Sequence, residues 1–380
     1  LGDRYTKSIL NGVDIPGLDP DRNTIQMDIF PTNVLDNIQV VKSFTADYPA
    51  DFTGGTVNII TRDFPNKEEY SVSVGAEYNP SMHFNDDYLG SGRSNSELLG
   101  FDSGLRSNPI PQDITIPPPS AQNPATSFWT SQFNPEMKAK KETSFLNTNF
   151  GLTAGNLWDV GKGGNKLGYQ FAGSYRTDYI YYEGFQNGNW RKFEDKSINE
   201  MNPDKLQNGD LAKNNVLWNI LAGLTFKTDK SKYKLSGLHI QNGVSTAGYL
   251  RQQILFSDAI TLFKDNLEYT QSQVTNILLN GKHSNNDGSW NIEWKVSPTI
   301  SKINDKDVRV APFEFEDGEY VIRPSSAGTP LRIWRDLEEV NLVGKLDFTK
   351  RHNLFGRKAR LLFGGQYTYK QRDYNIQQYI

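Results

Sequence analysis

The chain has 380 residues, and its 41 basic and 44 acidic side chains leave a net charge of −3. A nucleic-acid-binding protein would show a clustered basic excess, so this class is disfavoured. The chain has no cysteine, which excludes disulfides, zinc–thiolate sites and a catalytic thiol, and no apolar run approaches the roughly 18 residues of a membrane-spanning helix.

Residues 1–64 mix short apolar runs with turn signals and predict a small α+β unit. A short helix is expected at 31–33, because proline is tolerated in a first helical turn. Strands are expected at 38–42 and, after the Gly54-Gly55 pair, at 56–62. The chain begins without an initiator methionine or a signal-peptide pattern, so we expect it to start inside a longer gene product.

Residues 67–375 have a different pattern, in which apolar and polar residues alternate over segments of about ten residues. Such alternation predicts half-buried strands. Nine segments can be distinguished, at 70–79, 146–154, 167–176, 216–226, 232–242, 268–282, 290–297, 340–348 and 361–370.

The connections between these segments alternate between long and short. The long ones fall near 80–141, 180–212, 244–266 and 304–338, and the short ones near 155–166, 228–231, 284–288 and 351–357. Outer-membrane barrels have short periplasmic turns and long outer loops, whereas β-sandwiches lack this bias. A polar lumen also explains the mean hydropathy of −0.61. The predicted fold is an all-β, antiparallel outer-membrane β-barrel (65–380) preceded by an α+β unit (1–64) that can sit inside it as a plug.

Five stretches of the first 62 residues carry a resemblance to a known family. They are Gly2-Asp3-Arg4-Tyr5, Leu10 to Pro16, Phe30-Pro31, Leu35 to Lys42 and Ala50 to Arg62. In order and spacing they resemble the second half of the plug domain of TonB-dependent outer-membrane receptors. The family's barrel has 22 strands, so the resemblance implies that the chain is a fragment with about nine of them.

The resemblance implies active uptake of a scarce nutrient, which could be a ferric siderophore, a glycan, a vitamin or a peptide. The implied partners are the TonB energising complex through a segment upstream of Leu1, the extracellular nutrient, outer-membrane lipid and, optionally, a surface lipoprotein. The alternative is a barrel that serves as a docking, structural or secretion component without active import. The four histidines fall at no catalytic spacing, and we expect no enzyme activity, catalytic residue, cofactor or metal site.

Two sets of plug residues are candidates for function. Gly54 and Gly55 are expected to form a tight turn that a Cβ would obstruct. The resemblance implies that plug arginines, Arg4 and Arg62, face glutamates of the barrel wall. Glu77 and Glu293, which lie on the polar registers of their strands, are the candidate partners, and the alternative is that each arginine is simply solvated.

Ligand recognition is expected on the long loops 80–141 and 180–212, with the apex of the plug beneath them, because the apolar strand faces are committed to lipid. The candidate residues are Trp129, Tyr181, Tyr182 and Trp190, since aromatic rings stack on sugars, aromatic siderophores and peptides. The alternative for each of these rings is packing of one long loop on another.

Overall fold

The computed structural model describes residues 6–16, 30, 32–44, 48, 54–63, 67–111, 113–118, 123–161, 163–255, 260–325 and 327–380. These residues form one small sheet, one very large sheet and a two-stranded ribbon. Within those ranges, no helix has the length and apolar character needed to cross a bilayer.

The described residues between Thr6 and Asp63 form an amino-terminal unit built on a four-stranded sheet with the order β2-β1-β4-β3. Its strands are β1 (Thr6–Leu10), β2 (Val13–Asp14), β3 (Leu35–Val41) and β4 (Gly55–Thr61). A 3₁₀ helix at Thr32–Val34 leads directly into β3. The helical turn and the last two strands confirm the sequence-based expectation, while the parallel pairing of β1 with β4 was not predicted.

The turn between β1 and β2 is a two-residue hairpin at Asn11-Gly12. Both residues have positive φ, 53° and 81°, as the hairpin turn that matches strand twist requires. The Asn11 side chain accepts a hydrogen bond from the Thr61 backbone N–H at 3.0 Å, and the Asn11 N–H donates to the Ile59 carbonyl at 2.8 Å. The hairpin tip is therefore fixed to β4.

The large sheet contains nine long strands, and each pairs antiparallel with its neighbour along the chain. They are β5 (Glu69–Glu77), β8 (Asn147–Val160), β9 (Asn165–Lys192), β10 (Met201–Lys227), β11 (Ser231–Ile254), β12 (Ile260–Ser284), β13 (Trp290–Glu316), β15 (Leu331–Leu354) and β16 (Arg357–Tyr379). The remaining short strands are β6 (Tyr88–Gly90), β7 (Lys140–Glu142) and β14 (Glu319–Val321), and β14 pairs with β13. The nine predicted strands and their order are confirmed. In the described part of the chain, β5 pairs only with β8 and β16 only with β15, so the sheet is open at both edges.

Seven of the nine long strands have 23 to 28 residues instead of the expected ten, and this corrects the predicted loops. Strands β9 and β10 are 28 and 27 residues long, so the connection expected at 180–212 shrinks to 193–200. The connection expected at 244–266 shrinks to 255–259, and the one expected at 304–338 begins only after Glu316. Alternation reveals only the part of a strand that has one apolar face, because beyond that part both faces carry polar residues.

One face of the large sheet, called the unit face, bears the amino-terminal unit. The row Asn219, Ile240, Val274, Ser301 and Glu339 runs across β10 to β15 through successive direct partners. All five residues are buried. This face is the one expected to be polar from the alternation.

The opposite face, called the band face, carries exposed apolar side chains over the half of the sheet nearer the short turns. They are Ile220, Leu224, Leu235, Ile277, Leu279, Val296, Ile300, Leu342 and Leu346, and each is at least 40 % exposed. Nothing in the described chain covers them, so the sheet has an exposed apolar band on one face and, on the other, a buried surface that combines polar and aliphatic side chains.

The connection between β5 and β8, called the collar (residues 78–111, 113–118 and 123–146), is the longest loop among the described residues and contains several elements of its own. It holds the β6–β7 ribbon, a 3₁₀ helix at Asn95–Leu99 and the helix α1 (Pro124–Ser131), whose N-cap Asn123 accepts from the Ala125 N–H at 2.9 Å. By the strand registers, its contacts Trp218 and Gln241 lie on the band face. The collar and the amino-terminal unit therefore lie on opposite faces, which corrects the expectation that this loop lies over the unit.

Candidate functional site

The candidate site is the interface between the amino-terminal unit and the unit face. Its centre is apolar and buried, because Leu10, Val34 and Ile59 of the unit pack against aliphatic residues of β9 to β12. The sheet side of this cluster consists of Ala172, Leu217, Leu221, Leu238, Ile240 and Val274. A second, smaller contact joins Val13 to Leu278 and Val343.

Lys295 of β13 reaches the hairpin tip of the unit. Its ammonium donates to the Asn11 carbonyl at 2.9 Å and lies 3.4 Å from a carboxylate oxygen of Glu293. A Cβ at Gly12 would come within 3.1 Å of the same nitrogen, so the glycine allows both the left-handed turn and this close approach. The lysine therefore binds the unit through a backbone group.

Asp63, which follows β4, is held by two lysines of β11. Lys232 donates to Asp63 at 2.6 Å, and the Lys234 ammonium lies 3.2 Å from its other oxygen. Burial alone would raise the pKa of Asp63, but the two lysines outweigh it and lower that pKa below its usual value. The carboxylate is consequently charged at neutral pH, and it fixes the last residues of the unit to the sheet.

Among the described residues, neither of the candidate glutamates, Glu77 and Glu293, pairs with Arg62, which meets a different glutamate of the large sheet. Arg62 lies 3.8 Å from Glu69, at the start of β5. Glu77 receives a hydrogen bond from Asn147 at 3.5 Å, and Glu293 pairs with Lys282 and Lys295. Arg4 lies outside the described residues.

Apart from the Arg62–Glu69 pair, the charged contacts have the opposite polarity, since the sheet supplies the cations and the unit supplies carboxylate and carbonyl oxygens. Lys234 and Lys295 stand on the same polar alternation that singled out Glu293. The alternation therefore predicts that both lysines face the unit side of the sheet. No local pattern indicates which charged residues of that face contact the unit.

The expected glycine turn is corrected at Gly55. This residue is the first of β4 and is the direct partner of Thr6. Its φ lies outside the left-handed region, and a Cβ there would meet the Val41 carbonyl oxygen at 3.4 Å, an ordinary contact. Gly54 precedes the strand at a bend, so only this glycine remains a candidate turn residue.

The four candidate aromatic residues do not form one pocket. Trp129 lies on α1, while Tyr181, Tyr182 and Trp190 lie within β9 and not in a loop. Tyr181 is buried on the band face against Tyr88 of the collar, with ring centroids 6.2 Å apart. Tyr182, the next residue, points to the opposite face and is half exposed, and Trp190 is exposed. The packing alternative therefore describes Tyr181, and the other three remain candidates for binding.

A buried ion cluster that the sequence did not predict attaches the collar to the sheet. Asp307 binds both Arg309, at 2.8 Å, and Arg332, at 2.8 Å through its Nε. The two guanidinium groups then donate to the collar carbonyls of Glu136 and Asn134 at 2.6 and 2.7 Å. Because Asp307 has φ of 55° at an irregularity in the β13–β15 ladder, the cluster depends on a local backbone feature that alternation does not reveal.

Comparisons with known proteins add little to this geometry. No family model and no curated protein matches the chain. Among solved structures, the crystal structure of the ferric citrate transporter FecA in its unliganded form is similar over 98 % of this chain, with a TM-score of 0.29 and 11 % identity. The match covers 52 % of the FecA chain, so the chain spans about half the length of that structure. A likeness this distant transfers neither a ligand nor a mechanism.

Proposed function

We propose that the chain belongs to a TonB-dependent outer-membrane receptor that imports a scarce nutrient. The observation that carries the proposal is the exposed apolar band. On β13 the apolar side chains of this face run from the half-buried Trp290 to the exposed Ile300, ten steps of roughly 3.4 Å or about 34 Å along the strand. At the usual barrel tilt of about 40° this gives a height of about 26 Å, close to the roughly 25 Å of an outer-membrane barrel.

Aromatic pairs along the short-turn edge of the band support the same interpretation. Trp158 contacts Tyr169 edge to face at 5.4 Å, and Phe348 stacks on Phe363 at 5.1 Å. Amphipathic and aromatic rings concentrate where lipid meets water. An apolar band bounded by such rings is the surface expected of lipid-facing strands, and this interpretation makes the unit face the lumen.

In this proposal the amino-terminal unit is the plug of the lumen. It is held by an apolar cluster and by charged contacts at Lys295, Lys232 and Lys234. Such contacts can be broken one at a time when the TonB complex pulls, since a solvated ion pair contributes about 1 kcal/mol or less and the Lys295 hydrogen bond about 1.5–3 kcal/mol. The plug can then rearrange without dismantling the surrounding strands.

The nutrient would bind on the lumen side beyond the unit, where the strands extend past the band. Tyr182 lies on that face and is half exposed. We propose no single ligand, because rings and amides of this kind accept ferric siderophores, glycans, vitamins and peptides alike.

The test compares a host strain lacking this gene with one lacking TonB. Both strains receive radiolabelled ferric citrate, cobalamin, a maltooligosaccharide and an oligopeptide. Loss of uptake of the same compound in both strains supports energised import. A protein that fractionates with the outer membrane, while every uptake rate is unchanged by its deletion, would instead indicate a docking, structural or secretion component. A protein absent from the membrane fraction would overturn the proposal.

A further inference from the structure

Residues Leu98 to Asp102 of the collar, called the strap, run across four neighbouring strands of the large sheet. The backbone polar groups of the strap face the sheet. Four sheet side chains, one from each of β9 to β12, bind the backbone at four of the five strap positions. Tyr175 donates to the Leu98 carbonyl (2.9 Å), Trp218 to that of Leu99 (2.8 Å) and Gln241 to that of Gly100 (2.6 Å), and Gln271 accepts from the Asp102 N–H (3.2 Å).

The remaining amides at the centre of the strap are bonded within the collar. The Gly100 N–H donates to the Glu97 carbonyl and the Phe101 N–H to that of Ser96, at 3.0 and 3.1 Å. Leu98 and Leu99, in contrast, leave more than half of their surface exposed. The carbonyls of Leu98, Leu99 and Gly100 and the amides of Gly100, Phe101 and Asp102 are thus bonded while the leucines point outward. This arrangement suits contact with hydrocarbon, where an unpaired peptide group is costly.

The charges beneath the strap are paired, with one guanidinium between two carboxylates. Arg106 binds Glu97 at 2.7 Å and Asp102 at 3.3 Å, and its guanidinium lies 4.6 Å above the ring of Tyr269. All three ionised groups are almost fully buried. Since each has an opposite partner, none presents an isolated charge to the surface that the leucines cover.

The strap lies at the level where the apolar band ends. Its anchor Trp218 is two residues from Ile220, about 7 Å along the same face of β10. Across the sheet, the row of Trp218 continues through Gln241, Gln273, Lys302 and Glu338, whereas the row of Ile220 reaches Ile300 and Val340. The exposed leucines of the strap therefore continue the apolar band at the edge that is farther from the short turns.

A second part of the collar repeats this arrangement beside β5 and β8. Tyr78, Phe84 and Phe145 are exposed and contact one another, with centroids 6.2 Å apart for Tyr78 and Phe84 and 5.6 Å for Phe84 and Phe145. Phe84 has φ of 55°, a conformation that is unfavourable for a bulky side chain. Phe84 thus has a strained backbone conformation although its ring remains exposed on the surface.

We propose that the strap and the Phe84 cluster are seated in the outer leaflet of the membrane, so that the collar is a lipid-embedded rim around the outside of the strands. The occupant of this surface is the acyl chains of the outer leaflet. The inference rests on the proposed membrane location of the band, and it adds that a loop expected to bind ligand is bound to lipid instead. The rim would fix the depth and tilt of the strands.

The experiment uses the protein as its host makes it, reconstituted in vesicles of dioleoylphosphatidylcholine. These 380 residues contain no cysteine, so an introduced cysteine is the only thiol among them that the label can modify. Nitroxide labels are placed by Leu99→Cys and Phe84→Cys, with Leu224→Cys as the reference within the band and Ser103→Cys as an exposed polar reference in the collar. Power saturation by oxygen and by a water-soluble nickel chelate measures the contact of each label with lipid.

We expect the oxygen-to-nickel accessibility ratios of Leu99→Cys and Phe84→Cys to approach that of Leu224→Cys and to exceed that of Ser103→Cys several-fold. If Leu224→Cys is in lipid while Leu99→Cys and Phe84→Cys are in water, the rim is wrong and the proposed function stands. A water-exposed surface of this kind would suit a protein partner. If Leu224→Cys is itself in water, the membrane location fails, and the rim fails with it.

Discussion

Gly100 of the collar and Gly243 of β11 meet with no side chain between them. A Cβ on Gly243 would lie 2.6 Å from the Cα of Gly100 and 2.6 Å from the Tyr269 hydroxyl. Gly100 also has φ of 72° and ends the 3₁₀ helix, so both glycines are required for geometric reasons. The contact sets how closely the strap can approach the sheet.

Gly243→Ala should displace the strap. Because backbone atoms oppose the new methyl group, we expect a cost of about 1–3 kcal/mol, as for other overpacked sites. Hydrogen exchange at residues 98–102 should become faster. Gly237→Ala is the matched control, since it lies in the same strand and a Cβ there meets nothing within 4 Å. Equal exchange in the two variants would contradict the close approach.

Asp307→Asn should release the collar near Glu136 while preserving the backbone, since asparagine tolerates the left-handed conformation. The variant leaves Arg309 and Arg332 buried without their carboxylate, and removing one partner of a buried ion pair costs about 3–5 kcal/mol. A lowered thermal unfolding midpoint and faster proteolysis at 133–139 are expected. Asp317→Asn, at an exposed turn with φ of 51°, should change neither quantity.

Lys295→Met should loosen the hairpin tip of the amino-terminal unit. The Asn11 carbonyl loses its charged donor, and such a hydrogen bond contributes about 1.5–3 kcal/mol. Exchange of the β1 amides should therefore accelerate without a change in the exchange of β13. Lys282→Met, which removes the other lysine beside Glu293, is the control. If it loosened β1 equally, the effect would belong to Glu293 and not to the Asn11 contact.

Docking of the unit should depend on pH through Asp63. Its pKa is lower in the folded state than in the unfolded chain, so its contribution is complete above the unfolded value of about 4 and is lost as the pH falls through the folded value. Spin labels at Val40→Cys and Asp287→Cys should keep one distance between pH 5 and 7 and separate below about pH 4. With Asp63→Asn this transition should weaken, and an unchanged transition would place the titration elsewhere.

Tyr181→Ala and Tyr182→Ala should have opposite consequences although the residues are adjacent. Tyr181 is buried with Tyr88, and truncation of a buried aromatic residue costs about 3 kcal/mol or more. Its loss should lower the unfolding midpoint. Tyr182→Ala should leave stability within about 0.5 kcal/mol, as exposed positions do. A destabilised Tyr182→Ala would show that this side chain packs on an element outside the described residues.

The strand pattern could be predicted because it is local, and the collar could not because its contacts are distant in sequence. Alternation around Val216–Phe226 or Val340–Phe348 indicates a strand and its two faces whatever the neighbours are. The strap depends on Gln241 meeting Gly100 across 141 positions, and no pattern near either residue reports it. Tyr181 and Tyr182 illustrate the same limit. Their aromatic side chains suggested ligand binding for both, and only the strand register shows that they lie on opposite faces of the sheet.

The parallel pairing of β1 with β4 has a mechanical consequence. Thr6 is opposite Gly55 and Leu10 is opposite Ile59, while β4 continues through Asp63 toward β5 in the large sheet. A force applied to the chain ahead of Thr6, with the sheet held in place, would draw the two strands past each other along their length. All the hydrogen bonds between them would then be loaded together in shear, whereas an antiparallel pair pulled at its adjacent ends opens one bond at a time. Under tension the β1–β4 pair should therefore hold, and the contacts of the unit with the sheet should yield before it.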